Sequence, residues 1–173
     1  MTGMSDSDWA VKHSTSGHVF HYMSAAISWA SKKQPTIALS SCEAEIVAAS
    51  EAAKEAISLR MLLKDLGFGD PKPTHLSVDN QSAIAVAYNP EHHSRMKHVS
   101  RRHFLVRECV ENLQIVVPFV ASADNLADFF TKPLSPKLFF PMRDRIMNHD
   151  SRIAAPAAVA IAGSLDALVH SLA

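Results

Sequence analysis

The stretch SSCEAEIVAASEAAKEAISLRMLLKDL, from Ser40 to Leu66, decides how this chain folds. Ser40 and Glu43 stand at capping-box spacing, and Gly67 and Gly69 follow the last apolar turn. Together they predict one long helix from Ser41 to about Leu66. At about 100° per residue, Glu45, Ala49, Ala52, Ala56, Leu59 and Leu63 fall on a single stripe. Every member of that stripe is apolar except Glu45. Glu43, Glu51, Lys54 and Glu55 point elsewhere, as solvated residues do. A carboxylate at the edge of a buried face is costly unless a cation or hydrogen bonds stabilise its charge. The helix dipole and water offer a plain structural explanation; a cation site is the functional one.

Upstream of this helix, Gly3–Asp8, His18–Met23 and Ala26–Ala30 read as three strands. Thr36–Leu39 extends the third strand or forms the turn after it. Downstream, Pro71 and Pro73 mark a loop, Thr74–Val78 a strand and Gln81–Tyr88 a short helix. A polar loop opens at Asn89 and Pro90 and carries His92, His93 and Ser94. A basic helix then covers Ser100–Asn112, Gln114–Val120 is a Val-rich strand, and Asp124–Thr131 is a last short helix before Pro133. The order is that of an α/β fold in which helices cover a mixed sheet. Residues 1–141 are expected to form the domain. Residues 142–173 are expected to be an Ala-rich tail, helical or without order.

The chain has 173 residues, 47% of them apolar, with 17 Lys+Arg against 17 Asp+Glu, which suits one domain with a real core. Neutrality argues against a histone-like polyelectrolyte, and the composition excludes collagen-like or low-complexity chains. A local excess remains: Arg95, Lys97, His98, Arg101, Arg102, His103 and Arg107 have no acid among them. That run is either a phosphate-contacting surface or an ordinary solvated helix face. No secretory signal opens the chain, and the apolar stretch Ile153–Ala173 is broken by Pro156, Asp166 and His170. No membrane partner is expected. Cys42 and Cys109 form no CxxC pair, which points to a reducing, intracellular setting in the cytoplasm or nucleus. His92, His93, His98, His103 and Cys109 fit no zinc spacing, and no Gly-x-Ser-x-Gly elbow organises a serine hydrolase.

The remaining signal is acidic. Asp79 ends a strand just before a helix, where α/β sheets gather their ligands, although it would also serve as an N-cap. Asp6 and Asp8 lie two apart on the first strand and so face the same side; alternation does not separate them. Asp124 resembles an N-cap, whereas Asp128 lies one turn further in. Acids at four element ends suggest a multi-carboxylate metal site, and hard oxygen ligands suit Mg²⁺ or Mn²⁺. Two such ions, about 3.5–4 Å apart, serve phosphodiester cleavage.

Six segments then carry a family resemblance: Ser5-Asp6-Ser7-Asp8-Trp9-Ala10 with Ser14-Thr15-Ser16-Gly17-His18-Val19-Phe20; Ile27-Ser28-Trp29 with Ser31-Lys32-Lys33-Gln34-Pro35-Thr36; Leu39-Ser40-Ser41; Glu43-Ala44-Glu45; Val78-Asp79-Asn80-Gln81-Ser82-Ala83-Ile84; and Leu126-Ala127-Asp128 with Thr131-Lys132-Pro133-Leu134. In this order, over about residues 3 to 145, the chain resembles the RNase H domain of copia-type LTR-retrotransposon polyproteins. The resemblance implies an RNase H-like fold: a mixed five-stranded sheet, three antiparallel strands and then parallel ones, flanked by helices. It implies hydrolysis of the RNA strand of RNA–DNA hybrids with two Mg²⁺ or Mn²⁺ ions, in association with a reverse transcriptase. By motif, the catalytic and metal-binding carboxylates would be Asp6, Glu45, Asp79 and Asp128. The resemblance alone selects Asp6 over Asp8, while the helix face independently prefers Glu45 to Glu43. Ser40, Ser41 and Gln81 would contact substrate, and Arg101 and Arg102 would do so from the basic helix.

Several features depart from the family pattern. Few residues precede Asp6, the segment between Trp9 and Ser14 is short, and Ser100 stands where an aspartate is common. No histidine lies between Gln114 and Asp128, as is usual in this branch. The short start and the unfamiliar tail suggest a detached copy. The rival expectation is an inactive RNase H-fold module that binds nucleic acid or protein, or a retroelement remnant.

Overall fold

The computed structural model describes residues 1–10, 12–88 and 100–149, and the side chains of 100–103 lie outside that description. Five strands form one sheet in the order β3-β2-β1-β4-β5: β1 (Thr2–Asp8), β2 (Thr15–Tyr22), β3 (Ala25–Lys33), β4 (Thr74–Ser77) and β5 (Ile115–Val116). β1, β2 and β3 pair antiparallel, whereas β4 runs parallel to both β1 and β5. Four α-helices flank the sheet among the described residues: α1 (Ser41–Asp65), α2 (Gln81–Tyr88), α3 (Ser100–Glu111) and α4 (Pro136–Ile146). The mixed α/β sheet expected from the sequence is therefore present. None of these helices is long and apolar enough to cross a membrane.

The antiparallel strands are longer than their apolar cores suggested. Met23 and Ser24 both take positive φ, the geometry of a tight hairpin turn, and the ladder continues from there to Lys33. Thr36–Leu39 joins no strand. All seven residues of β1 pair with β2 despite the short lead-in.

One face of the sheet carries the larger core. Phe20, Leu76, Val78 and Ile115 pack there against Ile46, Ala49, Ala52, Ala56 and Leu59 of α1, with Val86 of α2 and Val106 of α3. α1 starts with a reciprocal cap close to a capping box: Ser40 Oγ accepts from Glu43 N at 3.1 Å, and Glu43 Oε2 accepts at 2.8 Å from the N–H of Leu39, one residue ahead of the N-cap. Its first half is buried nearly all round, from Glu43 to Ser50. Glu43 is therefore not solvated as the stripe predicted, and Glu51 and Glu55 are half-buried. The helix is sandwiched between the sheet and α3, so its apolar face is wider than one stripe.

The opposite face holds a smaller cluster of Val19, Leu126, Met142 and Ile146. α4 is absent from the expectations, yet Pro136 in its first turn and the i, i+4 pair Met142 and Ile146 are helix signals. The helix runs through Pro141 and brings Met142 and Ile146 into this cluster. The tail from 150 onward lies outside the described residues.

Two further elements differ from expectation. Gln114–Val120 keeps only Ile115–Val116 as a regular strand because Pro118 has no N–H to donate. Pairing resumes beside it: Val78 N donates to Pro118 O at 3.1 Å and Val120 N to Val78 O at 3.0 Å. Asp124–Thr131 is not an α-helix but two 3-10 turns, Ser122–Asp124 and Leu126–Phe130. Asn125 separates them and caps the second, a role expected of Asp124, which is exposed.

Candidate active site

The carboxyl ends of β1 and β4 and the start of α1 meet at one edge of the larger core. Asp6, Glu45 and Asp79 each offer an oxygen there, and these atoms lie within 4.8 Å of one another. Asp6 is 1% exposed and Glu45 6%, while Asp79 is half-buried. Asp8, on the same side of β1, is outside the group. Asn80 supplies the cap of α2, its Oδ1 accepting from Ala83 N at 3.0 Å, so the Asp79 carboxylate is not spent on capping.

Among the described residues, Glu45 is held from one side only. Ser7 N and Ser7 Oγ donate to Glu45 Oε1 at 3.2 and 2.9 Å, whereas Oε2 is buried without a protein partner. Burial, with the nearby charges of Asp6 and Asp79, pushes its carboxyl up to about 8 against the Ser7 hydrogen bonds. Burial likewise raises Asp6 to about 6, opposed by the Thr131 hydroxyl and reinforced by Asp128. Buried acids that repel one another in this way favour a cation among them.

Asp128 is placed nearby but does not join the group of three. It lies in the second 3-10 turn, and its Oδ1 accepts from Lys132 Nζ at 2.9 Å. The same ammonium is 3.5 Å from Asp6 Oδ2, an oxygen that also accepts a hydrogen bond from Thr131 Oγ1. Burial works to discharge Lys132, but the hydrogen bond to Asp128 and the charges of Asp6 and Asp128 outweigh it and hold the ammonium above its usual range. Thr131 and Lys132 belong to a quoted motif, but their contacts with the acids were not anticipated.

Two small features let this segment reach β1. Gly17 faces Asp6 across the ladder, and a Cβ there would come within 2.7 Å of Thr131 Cγ2 and 2.9 Å of Phe130 Cβ. Asn125 is fully buried; it donates to Ser5 O at 3.0 Å and accepts from Ala127 N at 3.1 Å. Nothing in the periodicity marked it. Asn125→Ala is expected to lower stability by about 2–3 kcal/mol, because two buried backbone groups lose their partner. Urea unfolding measures this directly.

The other expected contacts are more peripheral. Ser40 and Ser41 are exposed at the mouth of α1, with Ser40 occupied as its cap, and Gln81 is exposed at the first position of α2. Arg101 and Arg102 lie on α3, with side chains outside the described residues, as are Arg95, Lys97 and His98.

The chain is 34% identical over 155 residues to the "Retrovirus-related Pol polyprotein from transposon TNT 1-94" of Nicotiana tabacum, a match that takes in 87% of the chain. It is 37% identical over 139 residues to the Pol polyprotein from transposon RE1 of Arabidopsis thaliana. The chain spans only 12% and 10% of the lengths of these relatives. No family model matches the chain. Among solved structures, it resembles RNase H1 of Halobacterium salinarum at a TM-score of 0.54 and 17% identity, covering 75% of this chain and 92% of that one. It also resembles LC11-RNase H1, solved in complex with an RNA/DNA hybrid, at a TM-score of 0.55 and 11% identity over 75% and 92% of the two chains. The molecule thus has the RNase H fold and is related to a short segment of the retrovirus-related Pol polyproteins of plant transposons.

Proposed function

We propose that the chain is a ribonuclease H of the copia type, cutting the RNA strand of RNA–DNA hybrids with the help of divalent cations. The observation that carries this reading is the meeting of Asp6, Glu45 and Asp79, from three elements, within 4.8 Å. The donor set is all oxygen, which suits Mg²⁺ or Mn²⁺, and the unpartnered Glu45 Oε2 is a buried acceptor awaiting such a ligand. Asp6 and Asp79 would hold two ions between them, with Glu45 and Asp128 completing the two sites. Ions so bound supply an activated water and a neutralised leaving oxygen.

The protein's own contribution is positioning. Ser7 fixes Glu45, Thr131 fixes Asp6, and Asn125 fixes the turn that bears Asp128. In this reading Ser40, Ser41 and Gln81 line the substrate's approach, and Arg101 and Arg102 meet phosphates in a salt-dependent way. Contacts to the 2′-hydroxyl mark the RNA strand. Cleavage leaves a 3′-hydroxyl on the RNA. In a longer polypeptide, a reverse transcriptase domain is the proposed partner.

A labelled RNA–DNA hybrid tests the proposal. Cleavage is expected in Mg²⁺ or Mn²⁺ and not in EDTA, with DNA duplex left intact. A chain that binds the hybrid yet never cuts it under either cation would instead be a binding module.

A further inference from the structure

We propose that Lys132 is a resident counter-cation, standing between Asp6 and Asp128 where a second divalent ion would bind and giving up that place only when such an ion displaces it. The inference rests on the metal-site reading above and deepens it. Lys132 Nζ is 2.9 Å from Asp128 Oδ1 and 3.5 Å from Asp6 Oδ2. An ion bridging these two acids would sit about 2.0–2.1 Å from an oxygen of each. It has no room beside an ammonium already seated on both. Lys132 stands against Asp6 and Asp128, and among the described residues no ion pair joins a cation to Glu45 or Asp79, so the two halves of the acidic site are unequal. A first ion enters the three-carboxylate half on the side of Glu45 and Asp79, whereas a second, between Asp6 and Asp128, must expel Lys132.

The side chain is built for that exchange. Asp6 and Asp128 have side chains 2% and 15% exposed and are fixed by Thr131 and by the 3-10 turn, but Lys132 is 36% exposed. Its flexible stem comes from the end of that turn, so the ammonium can swing into water while both carboxylates stay in place. With Lys132 in position, metal-free protein keeps a positive charge against the buried Asp6 and the half-buried Asp128. Its departure leaves both acids to the incoming ion.

Mn²⁺ titration of the whole chain, followed by calorimetry and by electron paramagnetic resonance of free Mn²⁺, tests the inference without any cleavage assay. The wild type is expected to bind one ion well and a second more weakly. Lys132→Met and Lys132→Gln remove the repulsion between a unit charge and a divalent ion at contact distance. Each is expected to bind the second ion about tenfold more tightly, while Lys132→Arg keeps the weak second site. Two uncharged variants are included so that a folding defect in one leaves the other to decide. Unchanged or weakened second-ion affinity in the uncharged variants overturns the role of Lys132 while leaving the metal site intact. If no variant and no wild-type protein binds Mn²⁺, the metal-site reading itself is overturned, and this inference with it.

Discussion

Asp79→Asn is expected to abolish hybrid cleavage, by about a thousandfold or more, while leaving the fold in place. Asp79 is proposed to hold an ion together with Asp6 and Glu45. Replacing one carboxylate oxygen by an amide weakens that ion and costs several kcal/mol of charge stabilisation in the transition state. Each 1.36 kcal/mol is tenfold in rate. The fold is spared because Asp79 is half-buried and leaves the capping of α2 to Asn80. Removing one of three mutually repelling acids is further expected to leave the metal-free protein at least as stable as the wild type. Cleavage rate and thermal melting, measured on the same preparation, check both halves. Mg²⁺-dependent cutting retained in the variant would remove Asp79 from the mechanism.

The second large effect concerns pH. In the folded metal-free protein, Glu45 titrates at about 8 rather than 4.5, and Asp6 at about 6 rather than 3.8. Between the unfolded and folded values the native state holds protons that the unfolded chain has lost, so stability falls as pH rises. The stabilisation is complete below about pH 4, is lost progressively to about pH 8, and stays flat above. At about 1.4 kcal/mol per pH unit, Glu45 alone is worth a few kcal/mol. Unfolding midpoints in EDTA should therefore drop across this window. Saturating Mn²⁺ should remove the drop, because the cation takes over what the proton was doing. Glu45→Gln should, without metal, remove the part of the drop between about pH 6 and pH 8 and leave the share of Asp6 at lower pH. A midpoint that rises from pH 5 to pH 8 in EDTA contradicts the electrostatics of the site.

What the sequence discloses about this site depends on whether a residue is marked by period or only by contact. Glu45 breaks an apolar stripe that α1 then buries, and Asp79 ends a strand; both are visible along the chain. Asp6 and Asp8 share a period, so the contacts of β1 are needed to separate them. The acidic group takes Asp6 and leaves Asp8 out. Asn125, Thr131 and Lys132 act across more than a hundred residues of chain, on Ser5 and Asp6, and no local pattern carries that information. The same holds for the sheet. Val19 and Phe20 announce a strand, but the 3-10 character of Leu126–Phe130 follows from Asn125 being tied to β1 rather than from propensity. α4 is legible in principle through Met142 and Ile146, two apolar residues one helical turn apart.

β1 is both the first strand of the chain and the middle one of the sheet, and its two ends have different surroundings. Asp6 stands near its exit, whereas Met1 lines a cleft of about 450 Å³ with Tyr22, Met61 and Gln114. Five residue steps of extended chain separate the two, about 17 Å at the rise of a strand. An affinity tag or fluorescent reporter joined ahead of Met1 would emerge at the end of the sheet remote from the acids. The chain can therefore be tethered to a bead or a surface by its front end with its acidic edge turned outward.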